Sequence, residues 1–397
     1  MPSRLFLFLG FLGWFGFGSG SKTTETADSG NESDTGENIE TAEEQEKQET
    51  QEIIPLEKAP VLFGERERPI LLHSLPENMA GVDASSCIAC HSDITTQWKQ
   101  SAHRNALRNP NYQKKIATYA NSPLCSQCHA PLQLQHFRLA ESYVDADPLK
   151  PIFTDNPNWD AVLASESVGC ASCHIRDGKI LGIEPNNNAP HNITVSEELS
   201  SSSSCASCHQ FAWKEFPFPM YNTFEEWRES PQAGANIQCQ DCHMPPKATS
   251  NAFAEVIQAS HHFRQSIEQA LSVSVDLQSP IITRAKEIPI HIQLRNIGAG
   301  HFIPTGNPWK QYTLILSITD EKGKDLITPQ QHIIGRIQDK EGNWKEDNRI
   351  PTAGSKSYDF TINIPTKKNS GPAMLSLILQ KSKEETVLLW DIPVKIQ

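Results

Sequence analysis

A chain of 397 residues with 38% apolar and 21% charged side chains is long enough for two folded units plus non-globular extensions. Its formal net charge of −12 disfavours nucleic acid and anionic membrane surfaces as partners.

Residues 1 to 20 open with Met1-Pro2-Ser3-Arg4 and run through the apolar stretch Leu5 to Phe17 into Gly18-Ser19-Gly20. One positive charge, a short apolar stretch and small residues near a cut read as a secretory signal peptide. The apolar run falls short of the ~20 residues that span a bilayer, which leaves an uncleaved membrane anchor as the alternative. Cleavage removes Arg4 as the only charge and takes the net charge from −12 to −13. Residues 21 to 58 are dominated by Glu, Thr, Ser and Gln, with almost no large apolar side chain before Ile53-Ile54, and read as a disordered acidic linker. Residues 59 to 86 are a Pro-containing lead-in.

Cys-x-x-Cys-His then occurs five times: Cys87, Cys90 and His91; Cys125, Cys128 and His129; Cys170, Cys173 and His174; Cys205, Cys208 and His209; and Cys239, Cys242 and His243. All ten cysteines are used. The pattern is the attachment signature of c-type haem: two thiols bind the porphyrin edge and the adjacent imidazole becomes an iron ligand. A redox dithiol, a zinc knuckle or a disulfide framework needs no His at the next position. With 14 His in the chain, five such coincidences have a chance on the order of 10⁻⁷, which favours five covalently attached haems c. Covalent haem attachment on the far side of the bacterial cytoplasmic membrane agrees with the leader, so a periplasmic or extracellular location is expected. Haem propionates add negative charge, which points to a basic redox partner.

The 157 residues from Cys87 to His243 leave about 31 per motif, too few for five ordinary apolar cores. Porphyrins must therefore supply much of the buried surface. Helical pattern over Asp93 to Asn109, Tyr112 to Ala120, Trp159 to Ser165 and Thr223 to Glu229 predicts a mainly α haem domain over 59–268, with little regular structure beyond short helices. From about residue 270 apolar residues alternate, as in Ile288, Ile290, Ile292 and Leu294, and about seven such runs predict an antiparallel β-sandwich of immunoglobulin-like type over 269–397.

A low-spin haem iron takes a second axial ligand, commonly another imidazole. His103, His191, His261, His301 and His136 are the candidates: His103 lies on a helix leading away from the first motif, His191 follows the third, and His261 follows the fifth. His301 stands on a Gly-rich loop, Gly298-Ala299-Gly300-His301, that interrupts the β-region. His136 lies seven residues after His129. His73, His262, Met79, Met220 and Met244 are lesser alternatives, while His291 and His332 read as structural.

The run Cys87 to Ala106, with Trp98, Ser101 and His103, resembles the first haem segment of the cytochrome c-554-like multihaem cytochromes. Val168-Gly169-Cys170-Ala171-Ser172-Cys173-His174 with His191, and Cys205 to His209, resemble that family's third and fourth segments. The resemblance covers about residues 83 to 210 and implies closely stacked, mostly bis-His haems used for electron transfer. The fifth motif with Ser260-His261 is similar to that of pentahaem nitrite reductases, but the Lys that replaces His at their catalytic haem is missing from all five motifs here. The Gly298 to Gly306 stretch is similar to one in multihaem cytochromes with a C-terminal β-domain.

An electron carrier is the function expected. The alternative is an oxidoreductase acting on a small nitrogen or sulfur species at one open haem, for which Arg104, Tyr119, Tyr221 and Arg264 are residues of a suitable type. A third reading has the β-domain dock on a neighbouring subunit, with His301 completing a haem in trans to build an oligomer or filament.

Overall fold

The structure is a computed structural model that describes residues 52–55, 69–118, 123–147, 149–185, 189–212, 216–250, 255–263 and 266–397. The leader expected over 1–20 and most of the linker over 21–58 lie outside them, as do Tyr119 and Arg264.

Every Cys-x-x-Cys-His motif begins or lies on a short helix: Ala84–Ile88 running on to Ser92–Lys99, then Pro123–His129, Ala171–His174, Ser203–His209 and Cys239–His243. One helical turn explains why the spacing works. Residues three and four apart share a helix face, so two thiols and the following imidazole are presented together. Cys128, Cys173, Cys208 and Cys242 are all helical, but Cys90 is not: it sits in the turn between the two helices of the first motif. That turn keeps helical hydrogen bonding, since the Cys90 N–H donates to the Cys87 carbonyl at 3.2 Å and the His91 N–H to the same carbonyl at 2.9 Å. Local capping fixes where these turns start. Asp83 accepts from the Ser85 N–H at 2.7 Å ahead of the first motif, and Asp160 accepts from Val162 and Leu163 at the head of Ala161–Glu166.

The fold class expected from sequence is corrected by the strands: 34% of the described residues are strand and 23% helix. Strands enter the motif region itself. Arg138–Val144 pairs with Pro151–Asp155 and, on its other edge, with Ile53–Pro55. Ile175–Arg176, Lys179–Gly182 and Ile193–Val195 form a three-stranded sheet after the third motif. Gln210–Phe211 pairs with Tyr221–Asn222 after the fourth, and Pro246–Ser250 with Glu255–Ala259 after the fifth. The chain must double back between motifs, and strand pairing satisfies the backbone groups of each return. Nor is pairing wholly antiparallel: Lys179–Gly182 runs parallel to Ile193–Val195, and Ile281–Ile282 parallel to Thr386–Ile396.

Beyond residue 270 two sheets share one apolar core. The first orders Leu271–Asp276, Ile288–Asn296 and Ser355–Ile362; the second orders Ile281–Ile282, Thr386–Ile396, Gly371–Gln380, Tyr312–Asp320 and Gln330–Ile334. Alternation sends Ile290, Ile292 and Leu294 inward from one sheet and Leu314, Leu316, Leu375 and Leu377 from the other, all essentially inaccessible. The motif region has a far smaller cluster of Val82, Leu132, Leu163, Ala171 and Ile175. The contrast is what a fold completed by porphyrin requires. Leu316→Ala should destabilise the two-sheet unit by roughly 2–5 kcal/mol, read as a lower guanidinium midpoint in far-ultraviolet circular dichroism; an unchanged midpoint would show that the two sheets do not depend on this core.

Candidate haem-binding sites

Four motif histidines face a second histidine from a distant part of the chain. Ring centres are 6.4 Å apart for His91 and His191, 6.2 Å for His174 and His261, 6.3 Å for His209 and His103, and 6.1 Å for His243 and His301. A metal–imidazole bond of about 2.0 Å, plus about 1.1 Å from ring nitrogen to ring centre on each side, separates two axial imidazoles by about 6.2 Å. All four gaps therefore fit one iron between two rings. No cysteine is in a disulfide. Among the described residues, no three His, Cys, Asp or Glu side chains gather as a zinc knuckle would need.

The imidazoles are held in the form a metal accepts. Nδ1 of His174 donates to the Leu181 carbonyl at 2.9 Å, that of His261 to Ala259 at 2.9 Å, and that of His301 to Phe302 at 3.0 Å. A carbonyl only accepts, so Nδ1 carries the proton and Nε2 keeps its lone pair. Burial pushes the pKa of His209 and of His261 down to about 4, with neighbouring imidazoles adding to the effect. Burial likewise lowers His91, His103, His174, His243 and His301. Neutral imidazole is the ligating state.

Hydrogen bonds join the motifs into two pairs. Trp98 Nε1 donates to the Val168 carbonyl at 2.8 Å and the Val168 N–H to the His103 carbonyl at 3.2 Å, tying the first segment to the third. The Ser202 hydroxyl donates to Gln238 Oε1 and accepts from the Cys239 N–H, both at 2.9 Å, tying the fourth to the fifth. The Cys87 thiol accordingly lies in hydrogen-bonding reach of Cys170, and Cys205 of Cys239, so the attachment edges adjoin within each pair.

Cys90, expected from its spacing to attach haem together with Cys87, is half-buried in the turn beyond Ala84–Ile88, one helical turn further along the chain. Cys173 and Cys242, the second cysteines of the third and fifth motifs, are exposed.

The second motif differs. Nδ1 of His129 donates to the Ala106 carbonyl at 2.9 Å, but its ring stacks on Tyr112 with centres 4.1 Å apart, and no His ring faces it among the described residues. The structure does not bring His136 to this site: His136 is buried and its Nε2 donates to the Ala130 carbonyl at 2.6 Å. Closeness in sequence suggested His136, and the local turn commits it elsewhere. His291 donates to Asp359 Oδ1 and His332 to the Asp359 carbonyl, away from the motifs. Burial and the nearby thiols of Cys125 and Cys128 raise the Tyr112 pKa; burial and the Cys128, Cys125 and Cys208 thiols push Tyr221 up to about 12. Both remain neutral phenols beside this motif.

Sequence reasoning passed over several residues that place these rings. Gln97 Oε1 accepts from the His261 N–H at 2.8 Å and from the Ser260 hydroxyl at 3.3 Å. Asn296 Nδ2 donates to the His301 carbonyl at 2.9 Å. Gly300 lets the His301 loop approach Ser230 and Trp227, where a Cβ would lie 3.2 Å from each. A polar residue at an inward strand position, as Asn296 is, was the one readable signal.

Residues 86–147 match the family described as cytochrome c554 and c-prime. The structure is similar to a penta-haem cytochrome c552 from Thermochromatium tepidum at 18% identity, covering 79% of this chain and 99% of that one, with a TM-score of 0.55. These findings support a multihaem c-type cytochrome. They likewise support haem c and a role in electron transfer or redox chemistry. A CARDB domain from Pyrococcus furiosus shares 10% identity over 32% of the cytochrome and 87% of that chain, with a TM-score of 0.20, too low to carry an argument. No curated protein sequence matches it. No described helix is long and apolar enough to cross a membrane.

Gln97→Ala leaves two buried donors unsatisfied at the turn that delivers His261. We expect a loss of about 1–3 kcal/mol, read as reduced hydrogen-exchange protection of the His261 amide. Unchanged protection would show that Gln97 does not hold the turn.

Proposed function

We propose that the chain is an exported pentahaem cytochrome that conducts electrons through four bis-His haems and a fifth, on the second motif, without a His partner. The observation that carries this reading is the set of four histidine pairs at 6.1–6.4 Å. His91 and His191, His174 and His261, His209 and His103, and His243 and His301 would hold the four irons. Each motif's two cysteines would fix the porphyrin, Cys90 with Cys87 at the first. Bound haem supplies one-electron transfer at a potential set by its axial ligands, burial and hydrogen bonds.

Contacts between motifs support haems close enough to exchange electrons. The Cys87–Cys170 and Cys205–Cys239 contacts put two attachment edges side by side in each half. His103, on the first segment, reaches across to His209 of the fourth and so joins the halves. Five such motifs, and likeness in fold to a protein described as penta-haem, support the count of five. The acidic chain suits a basic redox partner. An apolar leader and c-type motifs support export.

A second reading is favoured by one observation, the His129 ring that meets Tyr112 instead of an imidazole. A phenol held neutral is a poor iron ligand and a good hydrogen-bond donor. The face of this haem opposite His129 would then take a small nitrogen or sulfur species, with Tyr112 packed on the His129 ring itself.

A pyridine haemochrome assay should give five haems per chain. Titration of the reduced protein with carbon monoxide should saturate at one ligand per chain. No carbon monoxide binding at any haem would overturn the five-coordinate assignment, and fewer than five haems would overturn the count.

A further inference from the structure

The loop that carries His301 is gripped from the motif side by one carboxylate. Glu226, on the helix Thr223–Arg228, is 4% exposed. Its Oε2 accepts from the Phe302 N–H at 3.1 Å and from the Thr305 hydroxyl at 3.0 Å. Its Oε1 accepts from Arg349 Nη1 at 2.7 Å. Arg349 is itself fixed by Asp347, through Nε at 2.9 Å and Nη2 at 2.8 Å, and its guanidinium lies 4.8 Å from the Phe302 ring centre.

Phe302 is thereby held at both of its backbone ends and on its ring. Its N–H is taken by Glu226, and its carbonyl accepts Nδ1–H of His301 at 3.0 Å. A second clamp acts on the other side of the His, where Asn296 binds the His301 carbonyl. The Thr223 and Thr305 hydroxyls, 2.8 Å apart, repeat the link between the helix and the loop. None of Glu226, Arg349 or Asp347 is among the paired rings. They fix the plane and reach of an imidazole that comes from the β-strand unit, against a motif histidine that does not.

We propose that Glu226 is a positioning residue for the fifth motif: it holds His301 opposite His243, so that ligation of that iron depends on docking of the C-terminal strands. The proposal rests on the reading above that His243 and His301 share one iron.

The test uses the full haem-loaded chain and cyanide as probe, with spin state followed by near-infrared magnetic circular dichroism. His301→Ala should remove one bis-His band in four and add one cyanide-binding haem to the number in the unsubstituted protein. Glu226→Ala should keep the haem count but bind cyanide at that same additional haem at least tenfold faster than the unsubstituted protein. Glu226→Gln, which keeps a neutral acceptor for the Phe302 N–H and loses the charge opposite Arg349, should fall between the two. If His301→Ala leaves all bis-His bands in place, the ligand reading fails. If His301→Ala opens the haem and both Glu226 variants bind cyanide at the unsubstituted rate, the positioning role fails and the ligand reading stands. Should Glu226→Ala not accumulate, Glu226→Gln decides alone by the same comparison.

Discussion

Two imidazoles can share an iron only if their ring centres stand about 6.2 Å apart on opposite sides of it, and that constraint organises the whole cytochrome. A motif supplies one ring on or beside a short helix, where the cysteines also lie. The second ring cannot come from the same turn, so a distant segment must supply it. His191 and His261 arrive after short strand returns, His103 comes from the first segment to serve the fourth, and His301 comes from the two-sheet unit. Every return is pinned by a polar side chain or backbone contact between segments, such as Gln97 to His261 or Ser202 to Cys239. The motif region can dispense with a large apolar core of its own because ligation and porphyrin burial would be coupled to its folding.

The two-sheet unit follows the opposite economy, with a dense aliphatic core and no cysteine. Its connection to the motif region combines aromatic packing, Phe218 on Trp344 and Phe216 on Trp309, with a polar clamp: Glu226 and Arg349 form a buried ion pair with side chains 3% and 7% exposed. Removing either partner of such a pair costs about 3–5 kcal/mol, yet an apolar replacement of both is often neutral or stabilising. Stability alone is therefore a weak reason for charge at this junction. Directional hydrogen bonds to Phe302 and Thr305 are something an apolar contact could not give.

Much of the chemistry was legible because it is local. Cys-x-x-Cys-His places all three groups within one turn of chain, and that pattern needs no tertiary information. The turn itself varies: Cys90 falls between two helices where the other second cysteines are helical, a difference that the shared spacing does not reveal. His301 stood out because glycines around it break a strand alternation, and His103 because it lies twelve residues after His91 on a stretch of helical pattern. What joins to what was not legible: His103 faces His209 and Glu226 meets Arg349 across long stretches of intervening chain. His136 shows the limit of arguing from nearness, since a seven-residue offset from His129 left its ring hydrogen-bonded to Ala130. The strands of the motif region escaped for a different reason. Segments such as Ile175–Arg176 and Gln210–Phe211 are two residues long, too short to show a period of two, and their formation is decided by the return path of the chain. The tyrosine at the second motif had no sequence signal, as Tyr112 reads as an ordinary helix residue.

The pairing of rings is the claim on which the rest depends, and iron-edge anomalous scattering from crystals of the haem-loaded cytochrome tests it most directly. We expect five iron peaks. Four should lie midway between the paired rings of His91 and His191, His174 and His261, His209 and His103, and His243 and His301, about 3 Å from each ring centre, with the fifth beside His129 alone. A peak beside any of the four paired motif histidines whose opposite ring is not the one named, or a second imidazole on the iron at His129, would contradict it.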